Sequence, residues 1–167
     1  MAAELPTRWN HVRGVAAKAR AVGHSLGADA DVLEAAAWLH DIGYSPNVTE
    51  TGFHPLDGAR FLRKLGFDER VTRLVAHHSC AITEARERGL GSVLSGEFDP
   101  EESLTADLLW FCDMTVGPAG QELTIEERLA EIDERYGRDH LVARSIARAR
   151  RDLLSAVQRA EVFLVQR

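Results

Sequence analysis

Trp38-Leu39-His40-Asp41-Ile42-Gly43 closes an alanine-rich run that opens near Asp31. Leu33, Ala36, Ala37 and His40 recur at the i, i+3, i+4, i+7 spacing of a helix, so the imidazole shares the apolar stripe and points toward a core. A buried imidazole needs partners for its nitrogens, and a buried carboxylate beside it needs a cation even more. His40 and Asp41 both carry lone pairs that a divalent cation accepts. The pair is therefore read as metal ligands at a helix end. Asp31 and Glu34 read as a capping box that starts this helix.

The neighbouring segments repeat the pattern. Upstream, residues 7–26 are helical in period, with His11, Val15, Val22 and Leu26 in phase and Gly27 as a stop. Downstream, residues 44–52 hold Pro46, Asn47 and Thr49 and read as a loop beside the pair. His54-Pro55 looks like the start of a third helix, with proline where a missing N–H costs nothing. Asp68 caps a fourth, whose stripe is Val71, Leu74, Val75 and His78. Residues 84–88 form a short charged helix, and residues 90–100 read as a mobile loop on their Gly-Ser and Asp-Pro content.

Residues 103–114 return to helix, with Ala106, Leu109, Trp110 and Asp113 on one side, and residues 115–120 break it. Residues 125–136 and 140–164 close the chain as two more helices, the last with a sustained stripe from Val142 to Leu164. No strand, repeat or low-complexity tract emerges, so the expected fold is all-α. A metal-binding helical domain over 1–120, with a C-terminal helical extension over 121–167 packing on it, is the expected organisation. The closing helix can instead pair with a second subunit, which leaves a homo-oligomer open.

The chain's 167 residues suit one domain with a sizeable core. A formal charge of −6 offers no basic surplus to replace phosphate counterions, which argues against general nucleic-acid binding. It leaves room for a small phosphorylated substrate, which needs only a local cationic site. Cys80 and Cys112 form no CxxC pair, and residues 1–6 lack the basic start and apolar run of a signal peptide. Charged residues interrupt every apolar run before membrane length. A cytoplasmic protein with no membrane contact is expected.

Four separate helices thus bring a metal-capable side chain to an apolar face: His11, His40 with Asp41, His77 or His78, and Asp113; His54 adds a fifth at a helix start. Any one alone fits a satisfied core histidine or a loop-capping aspartate. Repetition weakens that reading, because each unpaired burial costs about 1–3 kcal/mol. One metal cluster satisfies all of them, in the way helix bundles build metal sites from facing helices.

This order, a His, an adjacent His-Asp on the next helix, further histidines and a distant Asp, resembles the HD-domain superfamily of metal-dependent phosphohydrolases. The resemblance runs from His11 to roughly Asp113. It implies that His11, His40, Asp41 and Asp113 hold one divalent ion, and that Asp41 bridges to a second held by His54 and by His77 or His78. Spacing does not choose between those two; one would bind metal while the other protonates a leaving group, so Asp41, His77 and His78 are the catalytic candidates. Mixed His and carboxylate ligands favour Fe or Mn and admit Co, Zn or Mg, as one or two ions.

The implied activity is hydrolysis of a nucleotide or similar small phosphoester by metal-activated water. Tyr44 stands where many relatives carry a Lys. With Arg8, one turn before His11, it is a candidate substrate contact, although a solvated charge is the plainer reading of Arg8. The same departure leaves open a di-iron oxygenase on this scaffold, and a non-catalytic metal-bound sensing module is a further rival. Asp107 is a weaker alternative to Asp113. Asp57 either orients His54 or is an exposed helix charge. His24, His140 and Arg148, Arg150 and Arg151 are assigned to the surface, and Cys80 to a small buried position.

Overall fold

Proline in the first turn sets the start of both α1 (Pro6–Gly23) and α3 (His54–Lys64), where its missing N–H would have had no intrahelical partner. Between them lies α2 (Ala30–Leu39). Asp68 caps α4 (Glu69–His77) by accepting from the amides of Arg70 and Val71. Then come α5 (Ala81–Glu87), α6 (Gly91–Glu97), and α7 (Leu104–Met114), which Ser103 caps. A Thr124–Glu127 capping box opens α8 (Ile125–Tyr136), and His140 caps the long α9 (Leu141–Val165). The computed structural model describes residues 5–166, so the reading of residues 1–4 lies outside it. Among the described residues the fold is all-α, with one isolated bridge between Val116 and Glu122, and no helix is long and apolar enough to cross a membrane.

Two expectations fail locally. Helix α2 begins at Ala30, reached through a 3-10 run over His24–Asp29, so Asp31 and Glu34 form no capping box. Asp29 stands at the cap position but makes no cap bond, because its carboxylate accepts from Arg70 and Thr105 instead. Residues 91–97 are helical where a mobile loop was expected. Leu94 and Phe98 anchor them in a small apolar cluster with Phe53, Leu56 and Ala85, and Arg60 forks onto Glu97 from α3. Burial of two large side chains outweighs the local turn propensity of Gly and Ser.

The main core is separate. It unites Val15, Leu33, Leu74, Leu109, Leu129 and Leu153, one from each of α1, α2, α4, α7, α8 and α9. The two C-terminal helices therefore share the apolar core of the rest of the chain. Backbone approaches too close for a side chain complete the frame. A Cβ on Gly43 would sit 2.0 Å from the His54 carbonyl oxygen, and one on Gly14 would meet Gly120 Cα at 2.9 Å. The first approach seats the start of α3 beside the His40-Asp41 corner. The second lays the loop after α7 across α1.

Candidate metal centre

Each polar side chain at the centre arrives on an element whose apolar face carries it inward. His11 is buried on α1 with Val12, Val15 and Ala16, and His40 follows Leu33, Ala36 and Ala37 at the end of α2. Asp113 rides the buried face of α7 with Leu109 and Cys112. His54 opens α3 against Gly43. Helix α4 ends at His77, the chain turns extended at His78 (ψ 148°), and Ser79 and Cys80 then adopt positive φ of 46° and 58°. Left-handed backbone at two consecutive non-glycine residues is strained, and this corner turns His78 inward.

Two groups of ligand atoms converge there: His11, His40 and Asp113 form one, and Asp41, His54 and His78 the other. In the first, His11 Nε2 lies 2.9 Å from Asp113 Oδ1 and His40 Nε2 lies 3.7 Å from the same oxygen. Asp41 joins the groups through its two oxygens. Oδ2 lies 3.5 Å from His40 Nε2 and 3.9 Å from His11 Nε2, whereas Oδ1 lies 3.3 Å from His54 Nε2. His54 Nε2 and His78 Nε2 approach to 3.1 Å. A carboxylate with one oxygen toward each group has the arrangement of a bridging ligand.

Tautomers follow from the opposite ring nitrogens. His40 Nδ1–H donates to the Ala37 carbonyl at 2.7 Å, and His78 Nδ1–H to the Val75 carbonyl at 2.7 Å. The Gly117 carbonyl faces His11 Nδ1 at 3.3 Å. The two short contacts place the proton of His40 and His78 on Nδ1 and leave an Nε2 lone pair aimed inward, the usual support of a metal-ligating histidine, whereas His11 Nε2 is within hydrogen-bond reach of Asp113. His40 Nε2 is buried and has no hydrogen-bond partner among the described residues. A lone pair so placed costs stability unless a cation receives it. The residues present thus fit a divalent ion.

The electrostatics agree. Burial pushes the His54 and His78 imidazoles below their ordinary range, so both are neutral near pH 7. Burial alone would raise the Asp41 carboxyl, but Arg8 and the surrounding imidazoles outweigh it and hold it well below the usual carboxylate range. Burial likewise opposes ionisation of Asp113, and the His11 hydrogen bond with nearby His40 overrides it. Neutral imidazoles and ionised carboxylates are the protonation states that bind metal.

Seven of the anticipated site residues gather here with Tyr44, and one does not. His77 directs Nε2–H to the Phe98 carbonyl at 2.7 Å, away from the centre, so its anticipated part in ligation or proton transfer is not met. The backbone turn between the two histidines sends them to opposite sides. Arg8, read more plainly as a solvated charge, donates to Asp41 Oδ2 at 2.8 Å and lies 4.1 Å over the Tyr44 ring. Tyr44 in turn stacks on His54 at 4.0 Å.

Asp57 fits neither of its two readings. Buried, it accepts from the amides of Glu50, Thr51 and Gly52 and from the Thr51 hydroxyl, tying down the loop that leads to His54. Asp107 pairs with Arg159. The sequence reading missed Ser79, which donates to Asp113 Oδ2 at 2.5 Å. No signal pointed to it, because its role comes from a backbone conformation that serine rarely adopts. A cleft opens from the centre, floored by Asp41, His54, His78 and Asp113 and walled by α8 and α9.

The HD domain family matches residues 8–139, and the chain belongs to this superfamily of metal-dependent phosphohydrolases. A tRNA (cytidine(56)-2'-O)-methyltransferase of Thermoplasma volcanium is 37% identical over 78 residues, which are 47% of this chain and 22% of that protein. Ribonuclease Y of Rubrobacter xylanophilus is 38% identical over 69 residues, 41% of this chain and 13% of that protein. The chain thus covers less than a quarter of either relative. No solved structure matches.

Proposed function

We propose that the chain hydrolyses a small phosphoester, nucleotide-like in size, at a centre of one or two divalent ions, Fe or Mn by preference. His11, His40 and Asp113 would hold one ion, His54 and His78 the other, and Asp41 would bridge. The observation that carries this reading is the buried, partnerless Nε2 of His40, whose tautomer is fixed by the Ala37 carbonyl. When bound, such ions supply a water of lowered pKa and neutralise phosphoryl charge.

The chain's own groups do the rest. Asp41 is kept ionised, Ser79 fixes the Asp113 carboxylate, and the backbone carbonyls of Ala37 and Val75 orient two rings. Arg8 stands at the mouth of the centre, where its guanidinium can move from Asp41 to a substrate oxygen. Burial raises the Tyr44 phenol above its ordinary range, so it keeps its proton and serves as a donor. The relatives' names concern RNA, but the shared segments are small parts of those proteins, and the formal charge of −6 supports a small substrate over a polynucleotide.

The test pairs elemental analysis of protein purified without added metal with a panel of nucleoside monophosphates, cyclic dinucleotides and dinucleoside polyphosphates, assayed with and without oxygen. About one or two metals per chain and oxygen-independent turnover are expected. A ratio near zero ends the reading. Turnover that requires oxygen would favour a di-iron oxygenase, and bound metal with no turnover a sensing module.

A further inference from the structure

Two buried polar residues that line the same cleft as the centre, Arg128 and Ser145, lie outside the ligand set. Arg128 of α8 is 4% exposed and Ser145 of α9 is 2% exposed, and both line the cleft. Among the described residues, Arg128 Nε and Ser145 Oγ have no hydrogen-bond partner. A helical serine commonly bonds the carbonyl one turn back, and this one does not. The Arg128 guanidinium spends Nη1 on Glu131, which also receives Arg135 Nε at 3.2 Å. That leaves a buried guanidinium whose Nε still lacks an acceptor, on a residue that lines the cleft. Glu84, also on the wall, is already paired with Arg88.

Burying a guanidinium nitrogen and a hydroxyl without acceptors costs stability, and two such costs on residues lining one cleft point to a shared acceptor. An anionic acceptor suits the pair, because the guanidinium only donates and Glu131 engages it through Nη1 alone. A compact acceptor also suits a cleft whose cavity volume is about 80 Å³. A phosphoryl group meets both conditions and offers several oxygens to a forked donor.

Resting on the hydrolase reading above, we infer that Arg128 and Ser145 form a substrate-recognition wall of this cleft and grip phosphoryl oxygens of the substrate. The C-terminal helices would then supply specificity as well as packing.

The probe is inorganic phosphate, titrated calorimetrically into the full-length, metal-loaded chain. Arg128→Met keeps the unbranched stem as far as the position of Nε but removes every donor, and should weaken phosphate binding at least about tenfold, and Ser145→Ala about threefold. Both variants should keep the wild-type metal-to-chain ratio. Ser145→Ala removes one oxygen and guards against a folding failure in Arg128→Met. Unchanged phosphate affinity in the folded variants, the result expected if ordered water alone fills these positions, overturns the inference. So does wild-type protein that binds metal and no phosphate, leaving the metal centre standing. Protein that binds neither overturns both readings, whereas Arg128-dependent phosphate binding without metal would uphold the phosphoryl grip of these two residues while removing the hydrolase and, with it, their role in substrate recognition.

Discussion

Around Arg70, each guanidinium nitrogen is satisfied. Nη1 and Nη2 fork onto Asp29 at 2.7 and 2.8 Å, Nε reaches Glu101 at 3.0 Å, and the Thr105 and Ser103 hydroxyls donate in addition to Asp29 and Glu101. Around His40, the same kinds of groups come together from equally distant parts of the sequence, more deeply buried, yet an Nε2 is left over and two imidazole nitrogens face each other at 3.1 Å. The first cluster is complete as protein. The second leaves ring nitrogens that a cation would satisfy. A closed polar network ties elements together, whereas an open, buried one declares a ligand.

The largest effect should appear where the network is open. Chelation of metal-loaded wild-type protein should cost roughly 4 kcal/mol of stability if metal is present at about a thousand times its Kd. His40→Ala and Asp113→Ala should bind less metal and show no gap between loaded and chelated melting curves. Arg70→Leu should keep that gap. Differential scanning calorimetry with elemental analysis checks all three, and wild-type metal content in both centre variants would erase the distinction between the clusters.

Next in size is Asp57→Ala. Its carboxylate holds three backbone amides and a hydroxyl of the loop before His54. Removing it should cost about 2 kcal/mol, read by urea unfolding of chelated protein so that metal plays no part. A cost near zero would mean that water replaces these bonds.

Smaller still is Arg70→Leu, a partly exposed pair, with a fall of about 2–4 °C in melting temperature at neutral pH. Here pH sets the sign. Hydrogen bonds from Arg70 and Thr105 hold the Asp29 carboxyl down to about 2 from its ordinary 3.8. A depressed acid stabilises the fold above its unfolded pKa and loses that contribution as pH falls through the folded value. The difference between wild type and variant should therefore be full above about pH 5 and shrink toward pH 2. A difference that grows on acidification would contradict the assignment.

The all-α fold was legible because long-period patterns survive local noise: Leu33, Ala36, Ala37 and His40 are all buried together, as their spacing requires. So was the convergence of His11, His40, Asp41, His54 and Asp113. What stayed hidden depends on contacts between segments far apart in sequence. Asp29 gives up a cap bond for Arg70, 41 residues away. Leu94 and Phe98 turn a glycine- and serine-bearing segment into helix because α3 and α5 offer them a pocket. Arg128 and Ser145 meet across one cleft only because α8 and α9 fold back over the centre.

The adjacent histidines give the finest version of the contrast. Residues 77 and 78 both lie near the Leu74 face by spacing, and only the extended backbone at His78, followed by two residues of positive φ, separates them. His78 joins the open cluster, while His77 satisfies the Phe98 carbonyl. Glutamine at 77 can offer an N–H of similar reach. His77→Gln should therefore keep full metal content and lose no more than about 1 kcal/mol, whereas His78→Gln should lose metal. If His77→Gln were instead the variant that sheds metal, the last turn of α4 would have to run one residue differently, and the inward lone pair assigned to His78 would belong to its neighbour.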